Sequence, residues 1–257
     1  NMDPIGKVKT MTVSDASGSR NLTDLVVGRN IGAGWRSILA KFDHPIADDS
    51  LAGALLDDMS GIRHVAGYGR ITAGPQPLGF LANSPQIGTC AGWMAGGVAA
   101  LASEVSILAD LPSAPSMDQL VVDEGDWHRE ETVLEGSMQR RRLLDVRPLD
   151  SGDTELRMWF RDSRYAGPGD DRGLHEYVVL ARLDDSGLLA DATAQPRTLP
   201  MGDCPLAGEH VSLLEGTTVD RIDEGVRAHL RGELGCTHLN DAMRFLRSTT
   251  PMLNLLN

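Results

Sequence analysis

Cys204, Cys236 and His238 are the residues whose types and placement point most directly to chemistry. Cys204 follows Asp203 and precedes Pro205, and proline favours the first helical position, so Cys204 is expected at an N-cap. Cys236 follows Gly235 and opens CTHLNDAMRFLRS, a run that reads as a helix with His238 in its first turn. A helix start carries unpaired N–H groups and partial positive charge, which stabilise a thiolate and oppose an imidazolium. Both cysteines are therefore expected to be activated, and His238 to be neutral and available as base or ligand. Free cysteine is equally a small buried apolar residue, and that packing role is the expectation for Cys90, beside Ala91 and Trp93 in an Ala- and Gly-rich run.

His175 and Glu176 open the strand-like HEYVVLARLD, where a carboxylate beside an imidazole suggests acid–base work. Alternation would put His175, Tyr177 and Val179 on one face and Glu176 on the other. In FRDSR, Asp162 and Arg164 share a strand face, as an ion pair or as substrate anchors. Trp127 and His128, in DEGDWHREE, are candidates to line a pocket, and the run Arg140–Arg142 reads as a solvated edge strand. His238 and Cys236, with Cys204 and His175, would offer zinc a soft N/S set. No C-x2-C or H-E-x-x-H pairing supports it, so the expected cofactor is none, with zinc the metal these residues would suit.

These residues need elements to position them. KVKTMTV and LTDLVVG read as short strands around the turn SDASGSR, residues 48–59 as a helix, and residues 62–71 as a strand. Residues 90–111 read as a buried, Ala-rich helix, and LPSAPSMDQ as a connection. From Met138 four strand-like runs follow one another, MQRRRLLDVRPL, ELRMWFRDSRY, HEYVVLARLD and LLADATAQPR, with GD, PGDD and DDSG between them. After Asp203 three helical runs close the chain. Consecutive strands without intervening helices pair antiparallel, so the expected class is α+β, mostly antiparallel strands with a C-terminal helical group. The division falls at residues 1–115 and 116–257, packed as one compact unit.

The 257 residues carry a net charge of −12, which opposes general affinity for nucleic acid or anionic membrane. No run approaches the roughly 18 apolar residues of a membrane span. NMDPIGKVKT lacks the charged-then-apolar pattern of a secretory signal, and three widely spaced cysteines argue against a disulfide framework, so a cytoplasmic location is expected. No G-x-G-x-x-G, Walker or G-x-S-x-G pattern occurs, which removes the usual nucleotide and hydrolase signatures.

Taken in order, WH (127–128), RRRLLDV (140–146), FRDS (160–163), HEY (175–177), LPMGDCP (199–205) and CTHLND (236–241) resemble the bacterial proteins grouped as domain of unknown function 2889. The likeness covers residues 127–248, and CAGW at 90–93 resembles the longer members. It implies a bacterial protein, often encoded near small-molecule catabolic genes, and brings no activity with it. Met201 and Gly202 depart from the family pattern, which carries a larger aromatic and a less flexible residue there.

The leading expectation is a cofactor-independent lyase, hydratase or isomerase acting on a small organic substrate. His238 or His175 would be the base, with Asp203 or Glu176 as partner. The alternatives are a cysteine- or zinc-dependent hydrolase of an ester, thioester or lactone, and a non-catalytic protein holding a hydrophobic ligand. Arg164, Asp162, Trp127, His128 and Tyr177 are the expected substrate contacts. The partner is a small molecule, neither nucleic acid nor membrane, and self-association is left open.

Overall fold

The computed structural model describes residues 2, 7–15, 18–32, 34–41, 51–72, 87–101, 113–114, 134–168 and 170–256. The chain is α+β and divides into two compact units, Asn1–Gly67 and Tyr68–Asn257, where the sequence reading placed its division at 115/116.

In the first unit β1 (Thr12–Asp15) and β2 (Gly18–Asn21) form an antiparallel hairpin, followed by the short helices α1 (Thr23–Val26) and α2 (Trp35–Leu39). LTDLVVG is therefore not a strand: Asn21 Oδ1 accepts the Thr23 N–H and turns the chain into α1. α3 (Leu51–Thr72) runs through the residues expected to split into a helix and a strand. Leu56, Met59, Ile62 and Val65 continue a three-residue apolar spacing that glycines at 61, 67 and 69 obscure. Trp35, fully buried, donates its indole N–H to the Leu56 carbonyl at 2.7 Å and ties α2 to α3.

In the second unit, residues 91–93 form a 3-10 turn and α4 (Val98–Leu101) follows after a separate turn, so Cys90 does not open one long helix. Glycines at 92, 96 and 97 break the run, and residues 102–112 lie outside the described residues. Of the expected connection, β3 (Ser113–Ala114) is described. The centre of the unit is a meander of β4 (Met138–Pro148), β5 (Thr154–Gly167), β6 (Asp170–Leu183) and β7 (Leu189–Thr198), every pair antiparallel, with β3 joined to the first part of β6. Asp184 forms the β6–β7 turn by accepting the N–H groups of Ser186 and Leu188.

Three C-terminal helices, α5 (Ile222–His229), α6 (Thr237–Phe245) and α7 (Thr249–Asn254), come with 3-10 segments at Cys204–Leu214, Val219–Arg221, Gly232–Leu234 and Leu246–Ser248. One sheet face supplies Leu156, Met158, Phe160, Tyr177 and Val179 to a core completed by Ile222, Val226, Leu239, Met243 and Leu246. Each such large side chain contributes about 1.5–3 kcal/mol on burial. The segment from Cys204 is 3-10 rather than α-helical, and Asp203, not Cys204, is its N-cap.

Gly92 marks a close approach, because a Cβ there would collide with Cys204 Sγ. Gly92→Ala should cost about 1–3 kcal/mol through overpacking, read as an earlier denaturation midpoint with the same secondary structure. An unchanged midpoint would show that the loop yields freely.

Candidate functional site

Alternation and register build the site. Across the meander Arg140 on β4 faces Asp162 on β5, and Asp162 faces His175 on β6, so the three form one row on the core-side face. The start of α6 lies over this row and adds His238 from its first turn and Asp241 from the next. His238 Nδ1 is 2.6 Å from Asp162 Oδ2, and His175 Nδ1 is 3.8 Å from the same oxygen. The two imidazoles stack with centroids 3.5 Å apart and planes 14° from parallel. Asp162 is 0 %, His175 2 % and His238 3 % exposed, so the cluster is withdrawn from water.

Arg140 holds the row together. Its Nε and Nη2 donate to the two oxygens of Asp162 at 2.7 and 2.9 Å, while Nη1 donates to Asp241 at 2.6 Å. Arg244 continues the alternation between Asp241 and Asp223. Burial alone would raise the Asp162 pKa. The Arg140 charge, the His238 hydrogen bond and the Arg140 hydrogen bonds outweigh it and hold this carboxyl far below the usual carboxylate range. An ionised carboxylate only accepts, so the 2.6 Å contact favours the tautomer with the proton on His238 Nδ1 and the lone pair on Nε2; Arg140 Nη2 also lies 3.2 Å from Nδ1.

His175 and Glu176 point apart as expected, and Glu176 is tied to Arg161 at 2.9 Å in a separate buried pair. Asp203 accepts the Val98 N–H at 2.6 Å. The carboxylate that meets His238 is thus Asp162, not the expected Asp203 or Glu176. Arg164 is half-buried and forms no ion pair with Asp162 among the described residues; Arg140 takes that place. Trp127 and His128 lie outside the described residues.

The cysteines form a second group beside the first. Cys236 is the N-cap of α6, two residues before His238, and Tyr177 follows His175 on the same face of β6. The phenol of Tyr177 is directed at Cys236, and Cys204 and Cys90 lie near enough to act on it electrostatically. The start of CTHLND is set by a tight turn. A Cβ on Gly235 would collide with the Leu230 carbonyl, whose oxygen accepts the Asn240 side-chain amide at 2.8 Å.

The expected thiolate activation does not occur. Burial raises Cys236 to about 11, although the Leu239 and His238 N–H groups and the Tyr177 phenol act to lower it. Burial, followed by the neighbouring cysteines, raises Cys204 further. Desolvation also raises Cys90 and, first among its causes, Tyr177, so the group is protonated at neutral pH. A helix end is a partial charge and cannot repay full removal from water. Cys204 and Cys236 should accordingly resist a thiol-specific disulfide reagent, reacting on the order of 10²-fold more slowly than free cysteine until the chain is unfolded. Rapid labelling of the native protein at either position, located by mass spectrometry, would contradict this.

The sequence reading missed Arg140 and Asp241. A signal for Arg140 was present: Arg140, Arg142, Leu144 and Val146 alternate onto one face, and Leu144 marks that face as buried. Asp241 had no local signal. Its burial follows from the sheet residue it meets.

No curated protein and no solved structure matches the chain. Residues 138–251, which contain Arg140, Asp162, His175, Cys204, Cys236, His238 and Asp241, match the model of a family described as protein of unknown function (DUF2889), and over that stretch the chain has the resemblance read from its motifs.

Proposed function

We propose that the chain is a cytoplasmic bacterial enzyme of small-molecule catabolism that moves protons on a small organic substrate, as a lyase, hydratase or isomerase. It would use no nicotinamide, flavin or nucleotide, and neither nucleic acid nor membrane as partner. Among the described residues no helix is long and apolar enough to cross a membrane.

The observation that carries the reading is the buried contact between Asp162 and His238, 2.6 Å long, with the carboxylate fixed by Arg140. Asp162 favours the tautomer that leaves Nε2 to take a proton, and it faces the ring that would bear the transient positive charge. Stacking on His175 fixes the plane of that ring. Tyr177, kept protonated by burial, is a hydrogen-bond donor one step along β6. The raised thiols weigh against the cysteine-nucleophile alternative. A purely binding protein gives no reason for an imidazole aligned on a clamped carboxylate.

The reading is tested by incubating the protein in deuterated water with a panel of small hydroxy, unsaturated and oxo acids and esters. Enzyme-dependent deuterium entry, or addition or loss of water, is the expected result. Binding of a panel member without either would favour the ligand-binding alternative.

A further inference from the structure

We infer that Arg164 is the anchor for a carboxylate of the substrate, so that the site takes a small organic acid rather than a neutral molecule. This deepens the acid–base reading, and rests on it for where the reacting carbon lies; what it adds is the chemical class.

Arg164 follows Asp162 by two residues on β5 and belongs to the same sheet face. The pairing with β4 fixes that place, since Met138 faces Arg164 as Arg140 faces Asp162. Two residues of strand span about 6.6 Å, so Arg164 leaves the sheet one step from the contact between Asp162 and His238. On the opposite side of the row, one step along β6 from His175, stands Tyr177. The face therefore runs from a cation, through the paired imidazole, to a phenol. A carboxylate held at the first brings the adjoining carbon atoms of a small acid within reach of the second.

Arg164 differs from its neighbours in having no acid. It is half-buried, its Nε is shielded from water, and among the described residues no ion pair or hydrogen-bond acceptor meets its guanidinium. Arg140 holds Asp162 and Asp241, and Arg161 holds Glu176. A shortage of acids is not the reason, because the chain has 36 aspartates and glutamates against 24 lysines and arginines. Asp162, the acid on the same strand face, is taken on both oxygens by Arg140. An arginine stays charged at every working pH, and its planar fork of donors fits a carboxylate through two parallel hydrogen bonds. Holding such a group half out of water without an acceptor is costly in the empty protein. A bound carboxylate supplies the opposite charge and the acceptor together, whereas an ester or amide brings no charge.

The test needs no turnover. The full chain and its Arg164→Met variant are first compared by thermal unfolding without ligand. The variant should keep or raise its Tm, because no partner is stranded. A fall beyond about 4 °C would reveal a structural partner and overturn the inference. Lactate, pyruvate, crotonate and succinate are then titrated, each beside its primary amide and with inorganic phosphate as a general anion, by ligand-observed NMR and Tm shift. At least one carboxylate should bind at least about tenfold tighter than its amide and than phosphate. That preference should vanish in Arg164→Met and persist in part in Arg164→Lys, which keeps the charge without the fork. Arg157→Met, which removes an exposed arginine of the opposite face, should bind as the wild type does. Equal binding of acids and amides, phosphate as the tightest ligand, absence of carboxylate binding, or an unchanged preference in a folded Arg164→Met protein would each overturn the anchor. Carboxylate binding without deuterium exchange would sink the acid–base reading and keep the anchor; exchange without any carboxylate preference would do the reverse.

Discussion

His238→Gln should fold and lose turnover by about 10²- to 10⁴-fold, the range that general acid–base catalysis contributes. Glutamine keeps comparable length and a hydrogen-bond donor that can reach Asp162 but cannot exchange a proton near neutral pH. The choice of variant matters more than the sequence alone suggests. His238 is not a lightly packed first-turn residue: it is 3 % exposed and stacked on His175, so His238→Ala removes packing along with chemistry. The measurement is the rate of substrate-dependent deuterium exchange for wild type and variant, with thermal unfolding as the check on folding. A loss below about tenfold in a well-folded His238→Gln protein would remove this residue from the acid–base role.

Arg140→Met should lower stability by about 3–5 kcal/mol, because breaking a buried ion pair strands its partner. Here Asp162 loses its guanidinium and keeps the His238 contact, while Asp241 loses the closer of its two arginines and keeps Arg244 at 3.4 Å. For a chain of this size the loss corresponds to a drop in Tm on the order of 10 °C. In the wild type the Asp162 pKa is depressed on folding, so its contribution is fully present above the unfolded carboxyl value near 4 and fades only as pH falls toward the folded value. Without Arg140 the main opposing charge is gone and burial acts to raise that pKa. The sign then reverses, and the penalty should be largest at neutral pH and shrink toward pH ~4, where the Asp162 carboxyl takes up a proton. Urea unfolding at both pH values measures this. A pH-independent change under about 1 kcal/mol would mean that the pair contributes like an exposed one.

The strand order and the site row were legible to different degrees. Four consecutive strand-like runs with turn residues between them dictate an antiparallel meander, since short connections cannot make parallel crossovers. The same alternation set His175 and Tyr177 on one face and Glu176 on the other, as the structure has them. The C-terminal helices were legible from their apolar spacing and from the Gly-Cys-Thr start of α6. Residues 62–71 and, within the expected helix 90–111, the described residues 90–101 were not, because glycines interrupt both patterns and short apolar runs fit helix and strand alike.

The sequence by itself determined which faces exist: period-two alternation on β4, β5 and β6 and helical spacing on α6 follow from backbone geometry local to each element. It could not determine which faces meet. Register places Arg140 opposite Asp162 and Asp162 opposite His175, and α6 then brings His238 and Asp241 onto that row from 76 and 101 residues away along the chain. That meeting also decided ionisation. The helix start at Cys236 predicted a lowered thiol, a local argument, whereas the pKa reflects total removal from water, which only the packed structure imposes. Asp162 shows the converse, its charge kept in a buried place by an arginine that the sequence pattern had assigned to solvent.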